Sequence, residues 1–185
     1  MTALIALAAI LGQDAPPRLA KQDLADIEGK SVSLPAKDAK ATVLLFVAVD
    51  CPISNRYAPE MQRLYKDFHE KSVTFVRVYV DDSVSTDDIR KHGVEFKMPS
   101  AAVLDGKHAL VKQLGMTVTP EVAVVTPDGK LQYRGRINDL YIEHGRLREG
   151  DVRQDLRVAI EEVLAGKTVS KPFTNAIGCG IPDGD

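Results

Sequence analysis

The sequence has little cysteine, little excess charge and no long apolar run. Its two cysteines, Cys51 and Cys179, are too few for a disulfide-scaffolded protein, although they permit one bridge in an oxidising compartment. The 24 basic and 26 acidic residues leave a net charge of −2, which argues against nucleic acid as a partner. The apolar run over residues 3–11 is far shorter than the ~20 residues of a membrane span, so no stable span is expected.

Composition indicates a globular protein with one main domain. Hydrophobic residues make up 44% of the chain and charged residues 27%, both close to the averages of folded domains. We predict this domain over residues 16–166, because a helix stop stands at Gly166. Residues 167–185 contain prolines and glycines without a helical period, which predicts a tail that carries Cys179.

Residues 1–15 have two interpretations. The run at 3–11 has the length of the apolar core of an export signal. No Lys or Arg precedes it, however, and Pro16 follows Ala15, the best small residue for cleavage. We expect a signal peptide and an exported, periplasmic or extracytoplasmic protein. A disordered N-terminus or a buried or frayed helix, with a cytoplasmic location, stays open as the alternative.

Between the ends, apolar runs and amphipathic stretches alternate, as in a sheet crossed by helices. The continuous β-branched and aromatic run at 42–49 is typical of a central strand buried on both faces. From Tyr57 to Phe68 the apolar residues recur with helical spacing. Further predicted elements are a hairpin over 24–34, strands over 73–80, 121–126 and 131–136, and helices from Ser85, over 107–114 and from a capping-box-like start at Asp151 to Leu164. The order predicts a mixed sheet with helices on both faces.

Cys51 lies where the buried strand ends and the next helix begins. Unpaired N–H groups and the helix dipole at such a point favour a thiolate, which is a nucleophile at cellular pH. Pro52 is tolerated in a first helical turn, and the hydroxyl of Ser54 can point back at the sulfur. The carboxylate of Asp50 opposes the thiolate, with Arg56 as a counterweight. The alternative is that Cys51 is a small buried hydrophobic residue without chemistry.

Two segments resemble the thioredoxin-fold redoxins. The segment LLFVAVDCPISNRYAPEMQRLYKDF, residues 44–68, is similar to the strand, active-site turn and long helix of that superfamily. The segment TVTPEVAVVTPDGKLQYRG, residues 117–135, is similar to its cis-proline strand and hairpin. The resemblance covers residues 17–166 and is closest to the alkyl hydroperoxide reductase/thiol-specific antioxidant branch. It implies a thioredoxin-like α/β fold with three α/β/α layers, a mixed central sheet and an N-terminal β-hairpin extension.

The resemblance also implies site residues and an activity. Cys51 takes the place of the attacking cysteine, and Ser54 that of the resolving cysteine. Pro120, after Thr119, takes the place of the cis-proline that lies against the active sulfur. The implied activity is thiol–disulfide exchange or peroxiredoxin-like antioxidant chemistry through Cys51. Its substrate is a small-molecule or protein thiol, disulfide or peroxide.

The sequence departs from the pattern of these families at the site. Ser54 in place of a second cysteine makes a disulfide within the motif impossible. Leu44 and Ala48 stand where peroxiredoxins have a proline and a threonine or serine, so the hydroxyl that polarises peroxide is missing. Asp50 replaces the tryptophan that often precedes the thioredoxin cysteine. The resemblance therefore supports the fold more strongly than either activity.

Cys179 is the second cysteine of the chain and the candidate resolving thiol for Cys51. Its glycine neighbours, in a mobile tail, let it reach many places at a small loop-closure cost. We predict a Cys51–Cys179 pair, either a reversible redox disulfide or a permanent bridge. A free tail thiol unrelated to Cys51 stays open as the alternative.

Two other classes of function fit the same residues. Two thiolates and a histidine suit Cu(I), as in copper chaperones of the Sco type, which resemble this fold. Their Cys-x-x-x-Cys spacing is absent because residue 55 is asparagine. His144 is the histidine considered as a ligand, although a surface role is simpler, and His69, His92 and His108 are expected to be solvated. The third class is a non-catalytic binding module on a thioredoxin fold.

The remaining polar clusters indicate little further chemistry. Arg134 and Arg136 lie on one predicted strand, and Arg136 is a candidate to face Cys51 and support an oxyanion, as an arginine does in peroxiredoxins; solvent is the alternative. The acidic residues at 81–82 and 87–88 need no metal, because acidic groups are favoured at the start of a helix. We expect no metal and no cofactor, since phosphate-loop and zinc motifs are absent.

Overall fold

The structure is a computed structural model that describes residues 17–181. Its strands are β1 (Gln22–Ala25), β2 (Ser31–Leu34), β3 (Ala41–Val47), β4 (Val73–Tyr79), β5 (Ala101–Leu104), β6 (Val118–Thr119), β7 (Glu121–Val125), β8 (Leu131–Gly135), β9 (Tyr141–Glu143), β10 (Arg146–Leu147) and β11 (Cys179–Gly180). Its helices are α1 (Pro52–Phe68), α2 (Thr86–Glu95), α3 (Ala109–Leu114) and α4 (Asp155–Leu164). The predicted signal peptide or disordered segment, residues 1–15, lies outside the described residues.

A five-stranded mixed sheet forms the centre, in the order β5-β4-β3-β7-β8. The central strand β3 runs parallel to β4, with Leu44 opposite Val76, and antiparallel to β7, with Leu44 opposite Ala123. Every residue of β3 is buried, which explains why, apart from Thr42, its sequence is apolar without alternation. The predicted mixed sheet is therefore confirmed.

The two faces of the sheet are covered by different elements. On one face, alternate β3 residues such as Val43 and Leu45 pack with α1, α2 and α4. On the other face, Leu44 and Phe46 pack with α3 and with Leu34 of the antiparallel β1–β2 hairpin. Three α/β/α layers and the N-terminal hairpin confirm the predicted thioredoxin-like architecture. Within residues 17–181, no helix is long and apolar enough to cross a membrane.

The last helix begins at Asp155, not at Asp151 as the sequence pattern predicted. Gln154 precedes it without a capping hydrogen bond from its side chain. The preceding residues bind another loop instead: the backbone N–H of Arg153 donates to the Asp139 carboxylate at 2.6 Å, and the Asp139 N–H donates to the Arg153 carbonyl at 3.2 Å. These contacts hold the chain at 153 out of a helical path, so the predicted start is wrong.

The sequence patterns also miss the short strands. The four-residue β5 lies at the edge of the sheet, parallel to β4. The hairpin of β9 and β10 forms its own two-stranded sheet. Both are too short to show the alternation on which a strand prediction depends.

The tail packs along the domain. The backbone N–H of Thr174 donates to the Arg134 carbonyl at 3.0 Å, and the hydroxyl of Thr174 lies 2.6 Å from that of Tyr133. Val169 is buried in the core cluster on the α1 face. The final strand β11 pairs with β6. In this disulfide form, residues 167–181 are held on the domain by backbone and side-chain contacts, which the expectation of a mobile tail did not foresee.

Candidate active site

Cys51 is the N-cap residue of α1, directly after the turn that follows β3. Its sulfur lies 3.5 Å from the backbone nitrogen of Ser54, whose N–H points at it as a donor. Unpaired N–H groups and the dipole of a 17-residue helix stabilise negative charge at this position. The location therefore favours a thiolate when the sulfur is reduced.

Cys51 and Cys179 form a disulfide, with their Cα atoms 6.1 Å apart. That separation lies within the range of ordinary disulfides. The bridge links residues 128 positions apart and joins the start of α1 to the tail. The structure thus contains the predicted pair, and the alternative of a free thiol at Cys179 is wrong.

The disulfide lies against the turn at Thr119 and Pro120, whose peptide bond is cis. The carbonyl oxygen of Thr119 is 3.1 Å from the Cys51 sulfur. Across the β6–β11 pair, Cys179 is opposite Thr119. A β-carbon at position 178 would collide with the Thr119 carbonyl, so Gly178 is what allows the tail to lie this close.

Burial differs between the two sulfur-bearing residues. Cys51 is 1% exposed, whereas Cys179 is intermediate between buried and exposed. The tail and the Thr119 turn therefore cover Cys51, and the solvent-facing end of the disulfide is Cys179. Burial of Cys51 agrees with the hydrophobic alternative in part, but the disulfide shows that the residue has a chemical partner.

Ser54 lies in the first turn of α1 and is completely buried. Its backbone N–H faces the sulfur, but within the described residues its hydroxyl oxygen has no hydrogen-bond partner. A buried hydroxyl without a partner is costly, and active sites are where such groups are tolerated. The structure therefore places Ser54 beside Cys51, as predicted, while its hydroxyl is not bonded to the sulfur in the disulfide state.

Arg136 is not bonded to the sulfur. Its Nε donates to the carboxylate of Asp155 at 2.7 Å, and Arg153 donates to the same buried carboxylate at 2.6 Å. Arg134 pairs with the buried Glu121 at 3.0 Å. Because a buried carboxylate needs a cation nearby, both arginines are held by these structural ion pairs. The candidate role of Arg136 at Cys51 is accordingly corrected to that of an ion-pair partner for α4.

Replacing Arg136 by methionine is therefore expected to affect stability and not chemistry. Loss of its bond to Asp155 should lower the free energy of unfolding by about 1–3 kcal/mol. The rate of disulfide exchange through Cys51 should stay within about twofold. Urea unfolding and an exchange assay measure the two effects, with Arg146→Met, which breaks an exposed pair with Glu143, as the control. A lost exchange rate at retained stability would restore the catalytic assignment.

His144, the histidine considered as a Cu(I) ligand, lies in the turn between β9 and β10 and contacts the tail. Its Nε2 is 2.7 Å from the carbonyl oxygen of Gly178, the residue before Cys179. In the part of the chain that the structure describes, no three His, Cys, Asp or Glu side chains are grouped as a metal site. His144 thus connects the β9–β10 hairpin to the tail through its contact with Gly178.

Two histidines that were expected to be solvated are buried, so that expectation is wrong. His92 bonds to the side chains of Tyr79 and Asn55, and His108 bonds to the Val80 carbonyl at 2.6 Å. Burial and the nearby charge of Arg77 lower the pKa of His92 below its usual range. The signal for His92 was its spacing: it follows the buried Ile89 by three positions on the same helical face.

The protein has a mixed sheet with helices on both faces, and a cysteine at the start of a helix lies beside a cis-proline turn. These features define the class of thioredoxin-fold redoxins. A family model described as the AhpC/TSA family matches residues 11–134. The match spans most of the chain, and the protein belongs to this family.

Among solved structures, an uncharacterised conserved protein from Geobacillus kaustophilus has 25% identity, 90% coverage of both chains and a TM-score of 0.78. A hypothetical protein from Sinorhizobium meliloti also has a TM-score of 0.78, with 23% identity and coverage of 90% of this chain and 93% of that one. StoA from Bacillus subtilis has 25% identity and a TM-score of 0.56, over 64% of this chain and 89% of its own.

One curated relative is the thiol–disulfide oxidoreductase ResA of Halalkalibacterium halodurans. The chain is 24% identical to it over 110 residues, which is 58% of this chain and 60% of ResA. The chain therefore spans little more than half the length of this relative.

Proposed function

We propose that the protein is a thiol–disulfide oxidoreductase in which Cys51 and Cys179 are the redox pair. The observation that carries the proposal is the disulfide between the N-cap of α1 and a tail strand at the Thr119 turn. ResA, to which the chain is similar, is a thiol–disulfide oxidoreductase, which supports the same chemistry. Ser54 occupies the position from which a second cysteine in the motif would act, and Cys179 supplies the missing thiol from the tail.

Reduction of the protein begins at Cys179. Cys179 is a half-buried residue and Cys51 a fully buried one, so an external thiolate reaches Cys179 more readily. Its attack forms a mixed disulfide with Cys179, breaks the Cys51–Cys179 bond and releases Cys51 as a thiolate. The Ser54 N–H and the α1 dipole stabilise this leaving group. A second donor thiol then releases Cys179, and two electrons have entered the protein.

The reduced protein acts through Cys51. Without the covalent bond, the tail near Cys179 is held by the two-residue β6–β11 pair and by the His144 contact. Departure of this strand opens Cys51, whose thiolate attacks a substrate disulfide and expels one substrate thiolate. Cys179 then attacks the mixed disulfide, which restores the Cys51–Cys179 bond and releases the reduced substrate.

Peroxide reduction has less support at this site. Leu44 is fully buried in the core cluster on the α3 face of the sheet, and neither it nor Ala48 carries a hydroxyl. The reaction of reduced protein with oxidised glutathione and with hydrogen peroxide compares the two activities directly. Faster loss of free thiols with the disulfide supports our proposal, and faster loss with peroxide would replace it with a peroxidase.

The direction of electron entry has its own test. Oxidised protein is mixed with less than one equivalent of glutathione, quenched with acid and mapped by peptide mass spectrometry. Glutathione is expected on Cys179 in at least about tenfold excess over Cys51, because the covered sulfur is protected from attack. A glutathione adduct mainly on Cys51 would contradict the proposed order.

We propose in addition that the protein works outside the cytoplasm. The apolar run at 3–11, which has the length of the core of an export signal, supports this location, and disulfides persist most readily in an oxidising compartment. Cell fractionation tests it: recovery with an extracytoplasmic marker agrees with the proposal, and recovery with a cytoplasmic marker contradicts it.

A further inference from the structure

A chain of hydrogen-bonded side chains, buried except at Asn55, leads from β4 to the turn before Cys51. Arg77 Nη1 is 3.0 Å from the Tyr79 hydroxyl, and that hydroxyl is 2.8 Å from Nδ1 of His92. Nε2 of His92 is 2.7 Å from Oδ1 of Asn55, in the first turn of α1. The amide nitrogen of Asn55 donates to the carbonyl of Val49 at 3.0 Å. The chain thus ends two residues before Cys51.

The donors in this chain all point the same way. A guanidinium only donates, so the Tyr79 oxygen accepts from Arg77, and an amide oxygen only accepts, so Nε2 of His92 donates to Asn55. With its proton on Nε2, neutral His92 accepts the Tyr79 O–H at Nδ1. The burial of His92 and the charge of Arg77 lower the pKa of His92, which maintains this neutral form.

Arg77 supplies a buried charge at the far end. Its Nε and Nη2 donate to the Ser100 carbonyl at 3.2 and 2.7 Å. Within residues 17–181 it forms no ion pair, so no carboxylate contact neutralises it. A β-carbon at position 93 would lie 2.8 Å from its Nη1, so Gly93 leaves room for the guanidinium. In such a chain each bond polarises the next, toward Asn55.

Asn55 binds the backbone at Cys51 and at Val49, two residues before it. Its backbone N–H donates to the Cys51 carbonyl at 3.0 Å, while its side chain binds the Val49 carbonyl that precedes Cys51. The turn held in this way is the one in which the Ser54 N–H faces the sulfur at 3.5 Å. The orientation of Asn55 depends on His92, since the amide oxygen of Asn55 accepts the Nε2 proton.

We propose that His92 is a positioning residue for Cys51: through Asn55 it fixes the turn at 49–55 so that the helix N–H groups stabilise the Cys51 thiolate. The inference rests on the proposed function, because it assigns a role in the reactivity of the same sulfur. His92 itself does not touch the sulfur, and Arg77 and Tyr79 orient it.

The test is the pH dependence of Cys51 alkylation by iodoacetamide in the reduced Cys179→Ser protein, where one thiol remains. His92→Phe is expected to raise the pKa of the Cys51 thiol, with alkylation at least about threefold slower at pH 7. His92→Gln keeps a donor for Asn55 and should restore the rate to within about twofold. His69→Gln, in the turn after α1 with its ring stacked on Tyr65, is the control.

Asn55→Ala carries the same test if His92→Phe does not fold, because Asn55 is partly exposed. An unchanged pH profile in whichever of these variants fold, even with a lower melting temperature, would reduce His92 to a structural role and overturn the inference. Because alkylation needs no substrate, the two proposals fail separately. A shifted profile without disulfide exchange would contradict the proposed function and still support the positioning role.

Discussion

Replacing Cys51 by serine is expected to reduce disulfide exchange to the rate of the reaction without protein. A serine hydroxyl at this position is not ionised at neutral pH, so neither the Ser54 N–H nor the α1 dipole can make it a nucleophile. The measurement is turnover of a disulfide substrate with a dithiol donor.

The matched control is Cys179→Ser, which keeps the attacking sulfur and removes the resolving one. Once reduced and freed of the donor, it should form a stable mixed disulfide between Cys51 and the substrate, in one equivalent, and then stop. Trapping on Cys51 distinguishes a lost nucleophile from a lost resolving thiol. Turnover by Cys51→Ser at the wild-type rate would remove Cys51 from the mechanism.

The second large effect is on stability. Cys179→Ser removes a cross-link between residues 128 positions apart and is expected to lower the free energy of unfolding by about 2–4 kcal/mol. Denaturant unfolding of oxidised protein, with and without the substitution, measures the difference.

Reduced wild-type protein provides the comparison, since it lacks the same bond with no change of sequence. Its unfolding midpoint should match that of Cys179→Ser, and Cys51→Ser should behave in the same way. Equal midpoints for oxidised and reduced wild-type protein would show that the bridge does not constrain the unfolded chain. In that case the contacts of Thr174 and β11 would hold the tail without it.

The central part of the fold could be predicted because its sequence signals are local. The run at 42–49 is β-branched, aliphatic or aromatic throughout, and its part within β3 is buried on both faces of the sheet. The apolar spacing from Tyr57 to Phe68 follows the buried face of α1. These periodicities arise from burial against a sheet, and they therefore indicate layers before any contact is known.

The tail could not be placed in this way. Its position depends on the backbone of the Thr119 turn, on the missing side chain of Gly178 and on the Gly178 carbonyl that His144 contacts. None of these contacts produces a period in the sequence. The pairing of Cys179 with Cys51 was predicted because the chain contains two cysteines, and not because of a pattern in the tail.

The sequence also did not indicate which charged residues form ion pairs with one another. Arg136 and Asp155 are 19 positions apart, and only the packing of α4 beside β8 brings them together. Alternation along a strand shows which face a side chain shares, but not which carboxylate another element presents there. The polar chain through His92 joins a strand and two helices, and for that reason it was also missed.

Placing the resolving sulfur in the tail separates two tasks that lie within one motif when both cysteines belong to the same helix. The α1 N-terminus stabilises the Cys51 thiolate, and the Thr119 turn positions the tail against it. In the proposed cycle, β11 lies beside Cys51 in the disulfide form and leaves it after reduction. We therefore propose that the redox state of the pair controls access to Cys51.

The most direct measurement is the state of both sulfurs during turnover, followed by differential alkylation and peptide mass spectrometry. The account predicts that a dithiol donor frees Cys51 and Cys179 together, and that one equivalent of a disulfide substrate then restores the Cys51–Cys179 bond. A bond that stays intact while substrate is turned over would show a permanent structural bridge and contradict the account.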